Sequence, residues 1–435
     1  MRDGPNSGQG AGTMKVELVA VGDELLIGDV VNTNASRLGR LLTDAGMRVT
    51  GVSTVGDGLD ELVDVLRIAV DRADAVLITG GLGPTSDDRT REAVARVAGV
   101  ELRRDPAVER WLHDRYRNTG HVMNSLGLRQ ADVPEGGRVL PNDRGSAPGL
   151  TIDIRGTAVY ATPGVPHEMA AMVGDQVLPD MLRRSGSPAP RAQRVLRTVS
   201  VAEGLVATYL EPLEKELAAV GAVEVAYLAE PGEVRVKLTS TVAGGGEAVD
   251  AAALRAYELL GDCVYAEGTE SLAAVVARLL VERGATVAAA ESLSGGLLAA
   301  TLVAVPGVSA AFRGSVTAYA TDVKASLLGV DRALLDEEGA VHPRVAREMA
   351  EGVRSLLSGT YGVATTGVAG PDPQDGRPVG EVHIALAGPE GTVTVSPHLP
   401  GDRDRIRTLT VVRALELLRR TLLGLPQEHA REFPG

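Results

Sequence analysis

Along the chain, apolar positions switch between two spacings. Short Val-, Leu- and Ala-rich runs at Lys15–Val21, Arg48–Thr54 and Ala75–Thr79 predict strands, while Asn34–Ala45 and Leu59–Asp71 between them place apolar residues three and four apart, as amphipathic helices do. Strand and helix in alternation predict a parallel sheet with right-handed crossovers. The pattern continues to Met169–Arg184, where Ser185–Pro190 supplies a Pro- and Gly-containing linker. Residues 191–267 behave differently: a strand at Arg194–Ser200, a helix at Ala202–Ala219, short strands at Val223–Tyr227 and Glu233–Ser240, and a helix at Glu247–Leu260 predict a small α+β module. From Ser271–Arg283 onward helix and strand alternate again, with strands at Thr286–Ala290, Val363–Thr366 and Glu381–Ala387 and a last helix at Arg403–Leu423. The fold class is therefore α/β: parallel-sheet domain 14–184, α+β module 191–267 and α/β domain 268–425, after a tail at 1–13.

Composition sharpens this picture. The 435 residues exceed one ordinary core, and 52 glycines with only 3% aromatics suit Val/Ala strands joined by glycine turns. A net charge of −13 repels a polyphosphate backbone, which argues against nucleic acid as a partner. One cysteine, Cys263, excludes an internal disulfide and fits a reducing compartment. Residues Met1–Thr13 lack the apolar core of a secretory signal, and no apolar run reaches the roughly 20 residues that span a bilayer. A cytoplasmic location without membrane attachment is the expectation.

Candidate chemistry concentrates in the last third. Ala288–Gly296 (AAAESLSGG) follows an apolar strand and leads into the helical run Leu297–Val305, so a strand-to-helix turn holds Ser292 at the carboxyl edge of the sheet. Ser294, Gly295 and Gly296 would offer backbone N–H groups there to an oxyanion or a phosphate, although either serine could equally be a helix cap. A serine nucleophile needs a base. The segment Gly314–Lys324 contains no histidine, but Lys324 can serve if burial lowers its pKa, with Tyr319 relaying the proton or orienting the amine. A solvated lysine and a half-buried tyrosine are the plain alternative.

The segments Ala290–Gly296, Val316–Tyr319 with Lys324, Gly339–Val341, Gly367–Pro371, Pro378–Gly380 and Gly401–Asp404 occur in the order of the CinA (competence/damage-inducible) family, which the chain resembles from about Met14 to Leu423. In that family the C-terminal domain looks like the nicotinamide-nucleotide amidase PncC, and its Ser, Tyr and Lys fall on Ser292, Tyr319 and Lys324. The resemblance implies hydrolysis of nicotinamide mononucleotide to nicotinate mononucleotide and ammonia, as part of pyridine nucleotide salvage. The amidase chemistry requires no metal. Arg403 and Arg407, one helical turn apart, are candidates to hold the substrate phosphate, unless they form a solvated face. Thr365, Thr366 and Gly367, at a strand's end, are candidates to line the pocket. The chain departs from the family's common Cys-Thr at Leu293-Ser294, from its Ser-Asn at Ala320-Thr321, and from its Ser at His342.

Near the N-terminus, Val21–Gly28 with Asn32–Asn34 and Thr79–Thr90 (TGGLGPTSDDRT) both follow strands. Gly80, Gly81, Gly83 and Thr85 would let a phosphate approach the backbone, while Asp23, Glu24, Asp87 and Asp88 are hard oxygen ligands suited to a divalent metal; helix caps are the alternative. With Asn142–Gly149 and Pro163–Met169, these motifs are similar to the molybdopterin-binding (MoaB/Mog-like) domain that opens CinA proteins. That resemblance implies metal-dependent cleavage of ADP-ribose to AMP and ribose 5-phosphate. It also implies a KH-like middle domain and a homodimer, but no Gly-x-x-Gly clamp lies between Arg191 and Glu267, so the middle module reads as a spacer or dimer element. The competing expectation is a non-catalytic competence or DNA-damage accessory, or a pterin-binding adaptor.

Overall fold

The computed structural model describes residues 13–118, 125–186, 192–240, 242 and 245–427. The predicted tail, apart from Thr13, and most of the predicted linker lie outside them. The chain divides into two compact units, Met1–Arg191 and Ala192–Gly435.

The first unit is built on strands β1 (Lys15–Val21), β2 (Arg48–Val55), β3 (Ala75–Thr79), β4 (Leu102–Arg104), β5 (Asp132–Pro134), β6 (Arg138–Leu140), β7 (Gly149–Ile154) and β8 (Thr157–Thr162). Six of them form a sheet in the order β2-β1-β3-β8-β7-β6, while β4 and β5 pair separately. The pairs β1/β2, β1/β3 and β3/β8 are parallel, as the alternation predicts, and β7 and β6 close the sheet in antiparallel fashion. Strand side chains alternate between two cores. Val19, Val21, Val76 and Ile78 pack with Leu62, Leu66 and Val94 of helices Leu59–Arg72 and Thr90–Ala98. Leu18 and Leu77 pack on the other face with Leu38 and Leu42 of helix Thr33–Asp44, and with Met169, Val177 and Met181. Because helices cover both faces, the strand ends and the loops after them are left to form a cleft.

The second unit contains two sheets. Strands β9 (Gln193–Val199), β10 (Val223–Glu230), β11 (Glu233–Ser240) and β12 (Val264–Glu267) lie in the order β10-β11-β9-β12, all antiparallel. With helices Glu203–Val220 and Gly246–Leu260 the connectivity is β-α-β-β-α-β, the split βαβ arrangement. The two helices are separated by the β10–β11 hairpin, and no Gly-x-x-Gly loop joins them, as the sequence of this module requires. The module is also not a free spacer. Its Val199 and Tyr265 belong to the core of the C-terminal domain, and buried Arg419 and Arg420 reach Asp262 at 2.8 and 2.6 Å while pairing with buried Glu416.

The second sheet has the order β14-β13-β15-β16-β17, from β13 (Val287–Glu291), β14 (Phe312–Thr317), β15 (Tyr361–Gly367), β16 (Val382–Gly388) and β17 (Gly391–Val395). The parallel pairs β13/β14 and β13/β15 bring the ends of three strands together. Val287, Ala289, Val363 and Ile384 face helices Leu272–Glu282 and Arg403–Leu423, and Ala288, Ala290, Ala364 and Ala385 face helix Pro343–Leu356. Alanine on that second face lets the helix approach closely. Among the described residues no helix is long and apolar enough to cross a membrane.

Candidate active site

The turn after β13 meets the turn after β14 at the carboxyl edge of the C-terminal sheet, and a cleft of about 90 Å³ opens there. Ser292, Tyr319, Lys324, Thr366, Gly367 and Arg403 line it, so the structure brings together most of the residues picked out in the sequence. Leu293, Val341, Asp372 and Gln374 join them. Ser292 is half-buried, its amide held by the Thr365 carbonyl at 2.9 Å. Thr366 donates its hydroxyl to the Ala340 carbonyl at 2.7 Å, tying β15 to the loop that forms the opposite wall.

Lys324 sits in helix Thr321–Leu328 and is 1% exposed. Its Nζ donates to the carbonyls of Ala318 at 2.8 Å and Tyr319 at 3.2 Å, and no carboxylate pairs with it among the described residues. Burial therefore acts on the ammonium unopposed and pushes its pKa down to about 8. A neutral amine has two N–H groups and one lone pair. The two carbonyls account for the former and leave the latter available as a base.

Tyr319 is 61% exposed, and its hydroxyl accepts from Arg403 at 2.9 Å, while Arg403 also donates to the Gly370 carbonyl at 2.6 Å. Of the two roles expected for Tyr319, relaying the proton or orienting the amine, the contacts match the second through the backbone: the phenol partners Arg403, and Lys324 bonds the Tyr319 carbonyl. The two arginines also part company. Arg403 lines the cleft, whereas Arg407 donates to the Ser294 carbonyl at 3.0 Å and bonds Asp404, bracing the turn from outside.

The donors expected at Ser294–Gly296 are largely spent. Gly296, the N-cap of helix Leu297–Val303, has no side chain with which to cap, and Glu291 takes its amide at 3.0 Å together with those of Leu298 and Ala299. The Gly295 amide bonds the Ser292 carbonyl. The Ser294 hydroxyl is buried between Glu291 and Thr365, at 2.9 and 2.8 Å. Among the described residues, the Leu293 and Ser294 amides make no hydrogen bond within the chain, and of these two residues Leu293 lines the cleft while Ser294 is fully buried, so an oxyanion there would meet the Leu293 amide and not those of Gly295 and Gly296.

Three of the family departures have a structural account. Leu293 fills the core behind the turn, Ser294 keeps the hydroxyl that bonds Glu291, and the His342 ring nitrogen caps helix Pro343–Leu356 through the Arg344 amide. Ala320, by contrast, gives helix Thr321–Leu328 no side-chain cap.

In the N-terminal unit, a cleft of about 390 Å³ lies beside the loops after β1 and β3 and takes in Glu24, Gly80, Gly81, Gly83, Asp87 and Asp88. The glycines serve the chain first. Gly80 and Gly81 have φ of +106° and +66°, and a Cβ would collide with the Val21 carbonyl at the former and the Thr90 hydroxyl at the latter. Asp88 closes the loop on itself by accepting the Gly83 amide at 2.7 Å and the Thr85 amide at 2.8 Å, as well as the Thr85 hydroxyl. Thr85 and Gly83 thus spend on Asp88 the donors expected for a phosphate. Asp23 and Asp57 exchange backbone amides at 3.1 and 3.2 Å. Among the described residues no three His, Cys, Asp or Glu side chains converge as metal ligands. Asp23, Glu24, Asp87 and Asp88 therefore do not fit the expected divalent metal, because Asp88 and Asp23 are committed to loop closure.

Sequence reasoning missed Asp57 and Gln130 in this cleft, and it gave no role to Glu168 of the Pro163–Met169 motif, which also lines it. Asp57 follows β2, and the rule that singled out Asp23 and Asp87, an acid just after a parallel strand, points to it too. Partial burial raises its pKa; the Asp23 amide opposes this, and the charges of Asp23, Glu24 and Asp87 add to it.

Comparison with known proteins agrees with both halves. Residues 17–183 match the family described as probable molybdopterin binding domain, and residues 269–422 match the CinA C-terminal domain. A CinA-like protein of Frankia casuarinae is 53% identical over 424 residues, covering 95% of this chain and 97% of that one. The CinA-like protein of Gloeobacter violaceus is 42% identical, covering 94% and 96%. Among solved structures, the CinA protein of Thermoplasma acidophilum is 35% identical and covers 40% of this chain and 97% of its own, with a TM-score of 0.36. Because both domains match in order and a relative is more than half identical along nearly the whole length, the chain belongs to the CinA family.

Proposed function

We propose that the C-terminal domain deamidates nicotinamide mononucleotide. The observation that carries this reading is a buried lysine that has no counter-ion among the described residues and lines the same cleft as a serine at a strand end. Ser292 Oγ attacks the carboxamide carbon while Lys324 Nζ takes the hydroxyl proton. The Leu293 amide holds the tetrahedral oxyanion, and collapse expels ammonia as Lys324 returns the proton. Water, deprotonated by the same amine, then attacks the acyl ester, releasing nicotinate mononucleotide and restoring Ser292. Arg403, steadied by the Gly370 carbonyl, faces the phosphate, and Tyr319 stands beside it as a second donor. The test is ammonia release from nicotinamide mononucleotide by wild type and Ser292→Ala; equal rates end the assignment. A wild type inactive on every nucleotide carboxamide would favour the adaptor reading.

For the N-terminal unit we infer a site for a phosphate ester such as ADP-ribose. Support comes from the Gly81 and Leu82 amides at the cleft, which take no acceptor among the described residues. No step is derived through a metal, since the carboxylates do not assemble a set. AMP release from ADP-ribose by the full chain, with and without added magnesium, tests this reading, and no release in either condition rejects it.

A further inference from the structure

Glu291, the last residue of β13, is wholly buried and has no cationic partner among the described residues. Hydroxyl and amide donors satisfy it instead. Its Oε2 accepts the Ser294 hydroxyl at 2.9 Å and the Gly296 and Leu298 amides at 3.0 Å each, while Oε1 accepts the Ala299 amide and the Ser315 hydroxyl, both at 3.0 Å. These donors come from the turn, the helix after it and the neighbouring strand β14, so one carboxylate joins the segments around Ser292. A buried carboxylate persists only with such a set, and the helix start supplies positive potential as well as N–H groups.

The arrangement has two consequences for Ser292. Once Gly296, Leu298 and Ala299 are spent, the unbonded donors in the turn are the adjacent amides of Leu293 and Ser294. The same carboxylate also occupies the start of the helix, so the Gly296, Leu298 and Ala299 amides are not open to a substrate's phosphate. We propose that Glu291 is a positioning residue for the Ser292 reaction: its five hydrogen bonds hold the turn in the shape that leaves the Leu293 amide, at the cleft, free for an oxyanion. This rests on the reading of Ser292 as nucleophile.

The test uses full-length Glu291→Gln, which keeps the side chain's size but sets an NH₂ group against donors. Two readouts are needed: kcat and KM for ammonia release from nicotinamide mononucleotide, and the rate at which a fluorophosphonate modifies Ser292. In the latter reaction Oγ displaces fluoride from phosphorus, and the phosphoryl oxygen occupies the oxyanion position. In protein that circular dichroism shows to be folded, kcat is expected to fall about ten- to hundredfold with KM within about threefold, and phosphonylation to slow by a similar factor. A purely structural role would instead lower activity in proportion to the folded fraction. Should Glu291→Gln not fold, Ser315→Ala, which removes one donor and leaves the carboxylate, is expected to reduce both rates about two- to fivefold. Unchanged rates in folded Glu291→Gln, unchanged rates in Ser315→Ala where Glu291→Gln does not fold, or a wild-type Ser292 that is never phosphonylated, would each overturn the proposal. If Ser292 is phosphonylated but no ammonia is released, the substrate reading fails and Glu291 is judged on phosphonylation alone.

Discussion

The charge state of Lys324 governs the proposed reaction, so its removal and its titration are the sharpest test. An ordinary lysine amine, with a pKa near 10.5, is neutral in about one molecule in 3,000 at pH 7, whereas at a pKa of about 8 it is neutral in about one in ten. The expected pH profile of kcat/KM therefore rises tenfold per unit below about pH 8 and levels off above it. Stability carries the same signature. The folded pKa lies below the unfolded one, so the folded state bears the full cost of a buried ammonium below about pH 8, and that cost is relieved as pH rises towards 10.5. Lys324→Met removes this penalty, roughly 3 kcal/mol, but leaves the Ala318 and Tyr319 carbonyls without their donor, at about 1–3 kcal/mol. These terms nearly cancel. The variant should be folded at pH 7, within about 2 kcal/mol of wild type, yet lose activity by a thousandfold or more. Ammonia release between pH 6 and 10, with urea unfolding of both proteins at pH 7 and 9.5, reads all of this. A flat kcat/KM profile, or an active Lys324→Met, would refute the reasoning.

Other expectations follow from the same geometry. Tyr319→Phe removes a hydroxyl that meets Arg403 and not the amine, so KM should rise several-fold with kcat within about threefold; a collapse of kcat at unchanged KM would return the phenol to the proton path. Arg403→Ala should raise KM for the nucleotide at least tenfold and leave hydrolysis of a carboxamide lacking phosphate unaffected, whereas Arg407→Ala should lower kcat for both by loosening the Ser294 turn. Glu416→Ala removes the carboxylate that pairs with buried Arg419 and one of the two that meet buried Arg420, and should destabilise the second unit by about 3–5 kcal/mol in chemical denaturation; a loss below about 1 kcal/mol would mean that Asp262 and the other partners suffice.

Much was legible in the residues alone. The 2.0 and 3.6 spacings of apolar positions indicated most of the strands and helices and the parallel pairing of β1, β2 and β3, because burial of one face per element leaves few other packings, whereas the antiparallel pairs β6/β7, β7/β8, β15/β16 and β16/β17 were decided by the tertiary structure. Ser292 and Lys324 were only candidates on the residues alone, where a helix cap and a solvated lysine served equally well, and it was the resemblance to the CinA family that singled them out. Tertiary structure decided what each polar group spends its hydrogen bonds on. Glu291 looked like the end of an apolar strand and is the acceptor for five donors; Asp88 looked like a metal ligand and closes its own loop; Tyr319 looked like a relay and pairs with Arg403, 84 residues away. The Asp88 pairings and most of those of Glu291 are local and depend on how a turn closes, while those of Glu291 with Ser315 and of Tyr319 with Arg403 join elements far apart in the chain. Periodicity, which reports only whether a position faces the core, carries no information about them.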